Sequence, residues 1–423
     1  MENKKESGSN QEDKQIEHNC IFSKEKVNLG HQPEIDYVKA LCVFLIVIQH
    51  IYQNYTSDSS ELIFMIIYIL SNTITPSTSL MFLMGIGMKY SRHHEIKYYV
   101  SRGISLLTMA QFLYLIRETI PNLIVWWITA KQINIARAML VLQTDILTFA
   151  GFSFLFFALM KKMKLSDSCI LIISIILNIG AAVLYTKMKS TNNYILSIFL
   201  GYFILTNAEA YFPFCCYFIF VAFGYWFGGI HQRISNKDKF YNLFLIFCIP
   251  SVIIFHYLRF NNDILSLLPF TLFEDYCLMP VPIAIVFTMS TLIYFAIFYK
   301  FNKIFKGKTP GFITHLSKNL NQYYFISYVI TVQTAIFLKA TKGEKYPSEM
   351  KKGTLFSFIL IIFCRMAIDI NDKYIHFTIT TLKNPMRIYV FAFIWILTFT
   401  LFIYIYPKVE IYANMWNNYL NET

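Results

Sequence analysis

The stretch I-D-Y-V-K-A-L-C-V-F-L-I-V-I-Q-H-I-Y-Q-N, from Ile35 to Asn54, decides the fold class of this chain. It is an apolar run with the length of a helix that crosses a bilayer. Asp36, Lys39 and His50 are polar residues that a simple membrane anchor does not need. At about 100° of rotation per residue, all three lie on one stripe of a helix, with Lys39 and His50 roughly 16 Å apart along its axis. Because a charged stripe is costly against lipid, we expect it to face the bundle interior or a water-filled cavity.

The composition indicates that most of the chain is built in the same way. Of the 423 residues, 56% are hydrophobic and 15% are charged, whereas soluble domains are nearer to a quarter charged. Apolar runs recur along most of the length, which predicts an all-α, polytopic transmembrane helical bundle with about 10–11 spans. The net charge of +12 is typical of Lys and Arg in cytoplasmic loops beside anionic lipid, so membrane lipid is an expected partner and nucleic acid is not.

A shorter apolar piece at 193–206 is treated as re-entrant or interfacial, which puts the N-terminus inside and the C-terminus outside. Lys and Arg are then commoner in the cytoplasmic segments, although the loop 339–352 argues against this orientation. If 193–206 does span, every later loop changes side. The predicted spans are 35–56, 62–90, 98–118, 138–160, 168–186, 212–230, 240–258, 278–300, 320–339, 353–371 and 388–407.

Three regions follow from this pattern. Residues 1–34 are polar and are expected to be a disordered cytoplasmic tail, residues 35–410 form the transmembrane domain, and residues 411–423 form a short polar C-terminal tail. The start of the chain shows no cleavable signal peptide, so the first helix is expected to act as an uncleaved signal anchor. Most of the eight cysteines lie singly in apolar runs without metal-ligand spacing, which indicates packing residues and no metal site.

The second span contains polar residues at membrane depth. The segment T-P-S-T-S places Pro76 near its middle, which predicts a kink or a broken helix. Gly85 and Gly87 follow in M-F-L-M-G-I-G-M, where we expect them to allow close approach of another backbone.

His50 is the first candidate for chemistry, because histidine is the natural general base near neutral pH. The alternative is an interfacial histidine hydrogen-bonded to a neighbour. Lys39 and Asp36 lie near the cytoplasmic end of the same helix. They are either a snorkelling lysine with an acid in the first helical turn, or a group that meets a phosphate-bearing donor from the cytoplasm.

Further polar residues lie on the third and fourth spans. Arg102 opens the third span and, taken alone, resembles an anchor that follows the positive-inside rule. Arg117 and Glu118 place charges farther along that helix. Gln143 and Asp145 stand near the start of the fourth span and are candidate cavity-lining residues, since Asp145 is costly if it faces lipid. The chain carries no Walker loop, dinucleotide-binding, zinc-protease or nucleophile-elbow motif.

The first helix resembles that of the membrane acyltransferase-3 family, which O-acylates sugars and other cell-envelope molecules. That family carries a basic residue, ten intervening residues and a histidine. Lys39 and His50 match this spacing, with lysine where arginine is commoner, and Asp36 matches the acid just before the basic residue.

Later segments resemble the family less closely. L-M-F-L-M-G-I-G-M-K-Y-S-R is similar to the second landmark, F-x-x-S-G, but Met84 stands where serine is usual. The G-I-G and R-G-I-S-L-L segments also resemble the related heparan-α-glucosaminide N-acetyltransferase class. L-S-K-N-L-N-Q-Y-Y-F-I-S-Y, near 316–328, is similar to a late helix of the family in which Ser327 replaces a histidine.

The resemblance implies an integral membrane acyltransferase, an enzyme of the O-acetyltransferase kind, over residues 35–410. It would move an acyl group, acetyl being the first expectation, from cytoplasmic acyl-CoA to a hydroxyl of an extracytoplasmic glycan or another cell-envelope acceptor. His50 would take the proton of the attacking hydroxyl or carry the acyl group. Lys39 and Arg102 would meet the CoA phosphates or balance charge in the cavity, and Asp36 would orient Lys39. Acyl-CoA would be the donor substrate, and the site would need no metal.

The abundance of Asn, Ile, Lys, Tyr and Phe is typical of an AT-rich bacterial genome, so the expected location is a bacterial plasma membrane. Two other functions stay open. A transporter or flippase of envelope precursors would also carry polar stripes and a broken helix, but no pair of repeated halves is evident. A membrane sensor without catalysis would need a soluble signalling or ligand domain, which the sequence does not contain.

Overall fold

This computed structural model describes residues 20–55, 66, 70, 74–138, 144–188, 194–205, 211–260, 279–305, 307–343, 353–375 and 388–405. Those residues form helices and no strand, so the predicted all-α bundle is confirmed. The expected C-terminal tail at 411–423, and residues 1–19 of the expected N-terminal tail, lie outside the described residues.

The helices are labelled in chain order. They are α1 (Pro33–Tyr55), α2 (Pro76–Tyr90), α3 (Ile96–Thr129), α4 (Gln132–Ala138), α5 (Ile146–Lys162), α6 (Asp167–Met188), α7 (Tyr194–Gly201), α8 (Phe214–His231), α9 (Lys237–Phe260), α10 (Val281–Ile304), α11 (Gly311–Lys318), α12 (Leu320–Lys342), α13 (Gly353–Ile370) and α14 (Ile388–Ile405).

Eight helices of the described part of the chain are long and apolar enough to cross a membrane: α1, α3, α6, α8, α9, α10, α12 and α14. Three predicted spans are not among these eight. The span at 353–371 corresponds to α13, with 18 residues, and the other two are shorter helices. The break before Pro76 leaves α2 with 15 residues, and the cap at Asp145 starts α5 late, leaving 17 residues. The uncertain piece at 193–206 contains only the eight-residue α7, about 12 Å long and too short to cross a bilayer.

Helix α1 lies in the interior of the bundle and packs against α2, α10, α11, α12 and α13. Its first turn is fixed by Glu34, which is 1% exposed. Lys237 Nζ donates to Glu34 Oε1 at 2.6 Å and Tyr241 Oη donates to the same oxygen at 3.2 Å. Because a buried carboxylate needs partners of this kind, this network holds the helix that carries Lys39 and His50 in a fixed position.

The segment before α1 is ordered where the structure describes it. In residues 20–32, the backbone N–H of Ser23 donates to Arg233 O at 2.7 Å, and that of Val27 donates to Gln232 O at 2.8 Å. The expected disorder therefore does not extend over these residues, because the loop after α8 supplies their hydrogen-bond partners.

The broken second helix is confirmed. Thr75 has φ 44° and ψ 79°, and α2 begins at Pro76. Thr78 Oγ1 donates to Thr75 O at 2.9 Å, and Ser79 Oγ lies 2.7 Å from Thr291 Oγ1 of α10. The polar residues of T-P-S-T-S thus satisfy backbone and side-chain groups that lipid could not.

Close backbone packing joins α2 to α8. A Cβ on Gly85 would lie 2.1 Å from Val221 O, and one on Gly224 would lie 2.0 Å from Phe82 O. The expectation for Gly85 is confirmed. The expectation for Gly87 is wrong, because no atom of the described residues lies within 4 Å of its Cβ position and it lines a cavity instead.

Gly85→Ala is expected to lower the free energy of unfolding by about 3 kcal/mol, because the new methyl group meets a rigid carbonyl and the two helices must separate. The thermal unfolding midpoint in detergent measures the effect. Gly180→Ala is the matched control, since none of the described atoms lies within 4 Å of its Cβ position and alanine favours a helix interior. Equal midpoints for the two variants would contradict the packing described here.

Candidate functional site

A cavity of about 360 Å³ lies between α1, α2, α3, α5 and the start of α12. It is at the end of the bundle where α1, α3 and α12 begin and α2 ends, which is the end predicted to be cytoplasmic. Its wall is mostly apolar, with Val43, Ile46 and Val47 from α1. Three cations line it: Lys39, Arg102 and Lys318.

The structure brings Lys39 and Arg102 together in this cavity, although they lie on different helices. Both side chains are half-buried. A positive charge on an apolar wall suits a ligand that has an anionic part and an apolar part. The two predicted donor-binding residues are therefore placed where such a ligand could meet them.

Asp36 lies beside the cavity. Its carboxylate accepts hydrogen bonds from Ser317 Oγ of α11 and from His31 Nε2, and Ser317 itself lines the cavity. Asp36 also interacts electrostatically with Lys39. The hydrogen bond from Ser317 thus connects α11 to α1. Asp36 acts on Lys39 through the attraction between their charges.

His50 lies deeper along α1 and does not line the cavity. Its ring stacks on Tyr328, with centroids 4.0 Å apart and planes at 17°, and its centroid lies 6.1 Å from that of Tyr324. Tyr324 lines the cavity, so one layer of aromatic rings separates the cavity from the imidazole. His50 Nδ1 is buried, and no residue that the structure describes forms a hydrogen bond with it. At Nδ1, the described residues thus offer no hydrogen-bond neighbour of the kind that the interfacial alternative expects.

Arg117 lies against the same tyrosine ring on which His50 stacks, and against Tyr114. Its Cζ lies 4.1 Å from the ring centroid of Tyr328 and 4.5 Å from that of Tyr114. Glu118 Oε1 is 3.4 Å from Arg117 Nε, and the charge of Arg117 also acts on His50. Tyr328 is therefore held between an imidazole on one face and a guanidinium on the other.

A π-helical turn, Leu115–Thr119, positions Arg117 within α3. Pro121 follows it and has no N–H to donate, which disrupts the α-helical ladder at this point. The N–H of Ile120 bonds to Leu115 O instead, and Gln333 Nε2 of α12 donates to Ile116 O at 2.8 Å. The wider turn and this cross-helix bond fix the side of α3 on which Arg117 lies.

Asp145 caps the N-terminus of α5. Its Oδ1 accepts from Thr148 N at 2.8 Å and from Thr148 Oγ1 at 2.9 Å. Its Oδ2 is buried and forms no hydrogen bond with the part of the chain that the structure describes, and the charge of Arg117 acts on the carboxyl group. The cavity wall includes the next residue, Ile146, and not Asp145 itself. Gln143 lies outside the described residues.

The two positions where the sequence departs from the resemblance both lie near this site. Met84 lines the cavity and adds an apolar, flexible side chain to its wall. Ser327 is buried, and its Oγ donates to Tyr324 O at 3.3 Å. Ser327 thus donates a hydrogen bond to the backbone of its own helix at Tyr324, a residue that lines the cavity.

Several residues of the site were not singled out by the sequence. Ser317 and Lys318 belong to the short helix α11, and Tyr324 and Tyr328 form the aromatic layer. The two tyrosines are four residues apart, which places them on one helix face, but many aromatic residues of this chain share that spacing.

No group of three or more His, Cys, Asp or Glu side chains that could hold a metal ion occurs among the described residues. No family model, no curated protein and no solved structure matches this chain. The function proposed below therefore rests on the cavity, on the side chains of His50, Tyr328 and Arg117 that lie deeper in the bundle, and on the first-helix motif.

Proposed function

We propose that this chain is an integral membrane acyltransferase of the acyltransferase-3 kind, which transfers an acyl group from acyl-CoA to a hydroxyl of an extracytoplasmic glycan or another cell-envelope acceptor. The observation that carries the proposal is that one helix carries both a cation of the cavity and, deeper in the bundle, a half-buried histidine whose Nδ1 is buried. Lys39 lines the cavity, and His50 lies eleven residues deeper, roughly 16 Å along the axis.

The cavity supports the donor side of the proposal. Lys39, Arg102 and Lys318 would pair with CoA phosphates, because each phosphate offers strong acceptor oxygens to such donors. The pantetheine arm and the acyl group would lie along the apolar wall toward Tyr324. A movement of the Tyr324 ring would open a path from the cavity to His50 for the thioester.

Transfer of the acyl group needs one side chain that can take up a proton, at the end of the site farthest from the cavity opening. The acceptor hydroxyl oxygen would attack the thioester carbonyl carbon, forming the new C–O bond, and the C–S bond to CoA would break. His50 Nδ1, which has no hydrogen-bond partner among the described residues, would take the hydroxyl proton and return it to the leaving thiolate. In the other form of the mechanism, this nitrogen would carry the acyl group between two steps.

The test measures acetyl-CoA turnover by the full chain in nanodiscs, with bacterial envelope glycan as acceptor, over a range of donor concentrations. We expect turnover in the wild type and a KM for acetyl-CoA about tenfold higher in Lys39→Gln, because one phosphate contact is lost. Lys308→Gln removes an exposed lysine from the same end and is the control.

A folded wild type that neither hydrolyses nor transfers acetyl groups, with glycan present, would argue against the proposal. In that case the same preparation in liposomes would test the transporter alternative, since a flippase moves an envelope precursor without consuming acyl-CoA.

A further inference from the structure

A second group of basic residues lies at the same end of the bundle, on the other side of α2 from the large cavity. Lys26, Lys89 and Arg233 line a depression of about 200 Å³, together with Asp167 and Trp226. None of these five residues takes part in the proposed transfer of an acyl group.

The positive charges converge around this depression. Lys89 Nζ lies 4.6 Å from the ring centroid of Tyr225, and Lys161 Nζ lies 5.9 Å from the same centroid. Asp167, which pairs with Lys89, is the one carboxylate among the residues that line the depression. Several like charges held together without enough acids repel one another, which an anion would relieve.

A histidine in a neighbouring loop is also affected by this excess of positive charge. His94 is exposed in the loop between α2 and α3. Its pKa is lowered first by partial burial and then by the charges of Lys161, Lys26 and Lys89. The protonated imidazole is thus disfavoured by the cations that face it from three segments of the chain.

Lys26 is held in place although it precedes the first helix. The backbone N–H groups of Val27 and Asn28 donate to Gln232 O at 2.8 and 2.9 Å. These bonds fix the segment that carries Lys26 against the loop that carries Arg233. The two exposed cations are therefore set at the rim of the depression by backbone hydrogen bonds.

The N-terminus of α6 also lies at this depression, where Asp167 in its first turn offsets part of the helix dipole. This 22-residue helix begins at Asp167, and Ser168 in its first turn lines the depression. The first N–H groups of a helix and its dipole favour an anion. The positive-inside rule explains why cytoplasmic segments are basic in general. It does not explain why three basic residues and the first turn of a helix line the same depression.

We propose that this depression binds a phosphate group, carried by an anionic lipid headgroup or by a soluble phosphate ester. Lys26 and Arg233 would contact its oxygens from the rim, and Lys89 would contact them from below. The side chain of Trp226 would cover the apolar part next to the phosphate. The inference does not depend on whether the chain transfers acyl groups.

The test uses the full chain in nanodiscs and measures the thermal unfolding midpoint. One arm compares phosphatidylcholine discs with discs that contain increasing phosphatidylglycerol, and the other adds adenosine 3′,5′-bisphosphate to phosphatidylcholine discs. The site variant is K26Q/R233Q, run with each single variant. The control is K300Q/K308Q, which removes the same charge from exposed positions at the same end of the bundle.

We expect the midpoint to rise with at least one probe, and the half-saturating amount of that probe to be about tenfold higher in K26Q/R233Q, since each lost contact is a charged hydrogen bond. The control should respond as the wild type does. A response to phosphatidylglycerol alone identifies a lipid headgroup, and one to the bisphosphate alone identifies a soluble ester. No rise with either probe, or equal responses in all variants, overturns the inference.

Discussion

Replacing His50 with alanine is expected to lower acetyl-CoA turnover by about 10²–10⁴-fold, the range over which a positioned general base contributes. The KM for the donor should change little, because His50 does not line the cavity in which the donor would bind. His50→Gln tests the same point with a side chain of similar length that cannot act as a base.

His93→Ala is the matched control for this prediction. His93 also stacks on a tyrosine, Tyr98, with centroids 4.9 Å apart, but it is exposed in a loop. Its loss should leave turnover within about twofold, as for surface substitutions that have little energetic effect. If His50→Ala is folded and turns over acetyl-CoA as fast as His93→Ala does, His50 has no role in the chemistry.

The two roles considered for His50 give different products on the protein. If the histidine carries the acyl group, wild-type chain incubated with radiolabelled acetyl-CoA and no acceptor should hold label, and His50→Ala should hold none. If the histidine acts only as a base, neither chain becomes labelled and glycan must be present for turnover. Both outcomes are consistent with a large effect of His50→Ala, so the labelling experiment decides between them.

The sequence predicted the parts of the site that depend on one helix. The relation between Lys39 and His50 follows from helical rotation alone, and a charged stripe in an apolar run has to face inward. The break at Pro76 follows in the same way, because proline removes one donor and the surrounding polar residues replace it. These features needed no knowledge of neighbouring helices.

Other features depend on contacts between distant segments. That Lys39 and Arg102 line one cavity depends on where the bundle places α1 and α3, which no spacing in the chain reveals. Gly85 and Gly87 look alike in the sequence, yet only Gly85 meets another backbone, because α8 passes on one side of α2. The order of the segment before α1 depends on the loop at Gln232, more than 200 residues away.

Arg117→Met is expected to be the most destabilising substitution at the site, lowering the free energy of unfolding by about 3–5 kcal/mol. Arg117 is 4% exposed and pairs with Glu118, and it also acts on the buried Asp145. Without the guanidinium, Asp145 would lose the cation that acts on it in the bundle interior, and Glu118 would be left with the charges of Arg137 and Lys339, which is the costly way to break a buried pair. The thermal unfolding midpoint in detergent measures the loss.

Arg365→Met provides the comparison, because Arg365 is 44% exposed and forms an i,i+4 pair with Asp369 at 3.7 Å. An exposed pair of this kind contributes under about 1 kcal/mol. Adding Glu118→Gln to Arg117→Met should recover part of the lost stability, since it removes one of the unbalanced charges. If the double variant is no more stable than Arg117→Met, packing between Tyr114 and Tyr328 would be the main role of Arg117. Recovery would instead show that Arg117 balances the charge of the cluster around His50.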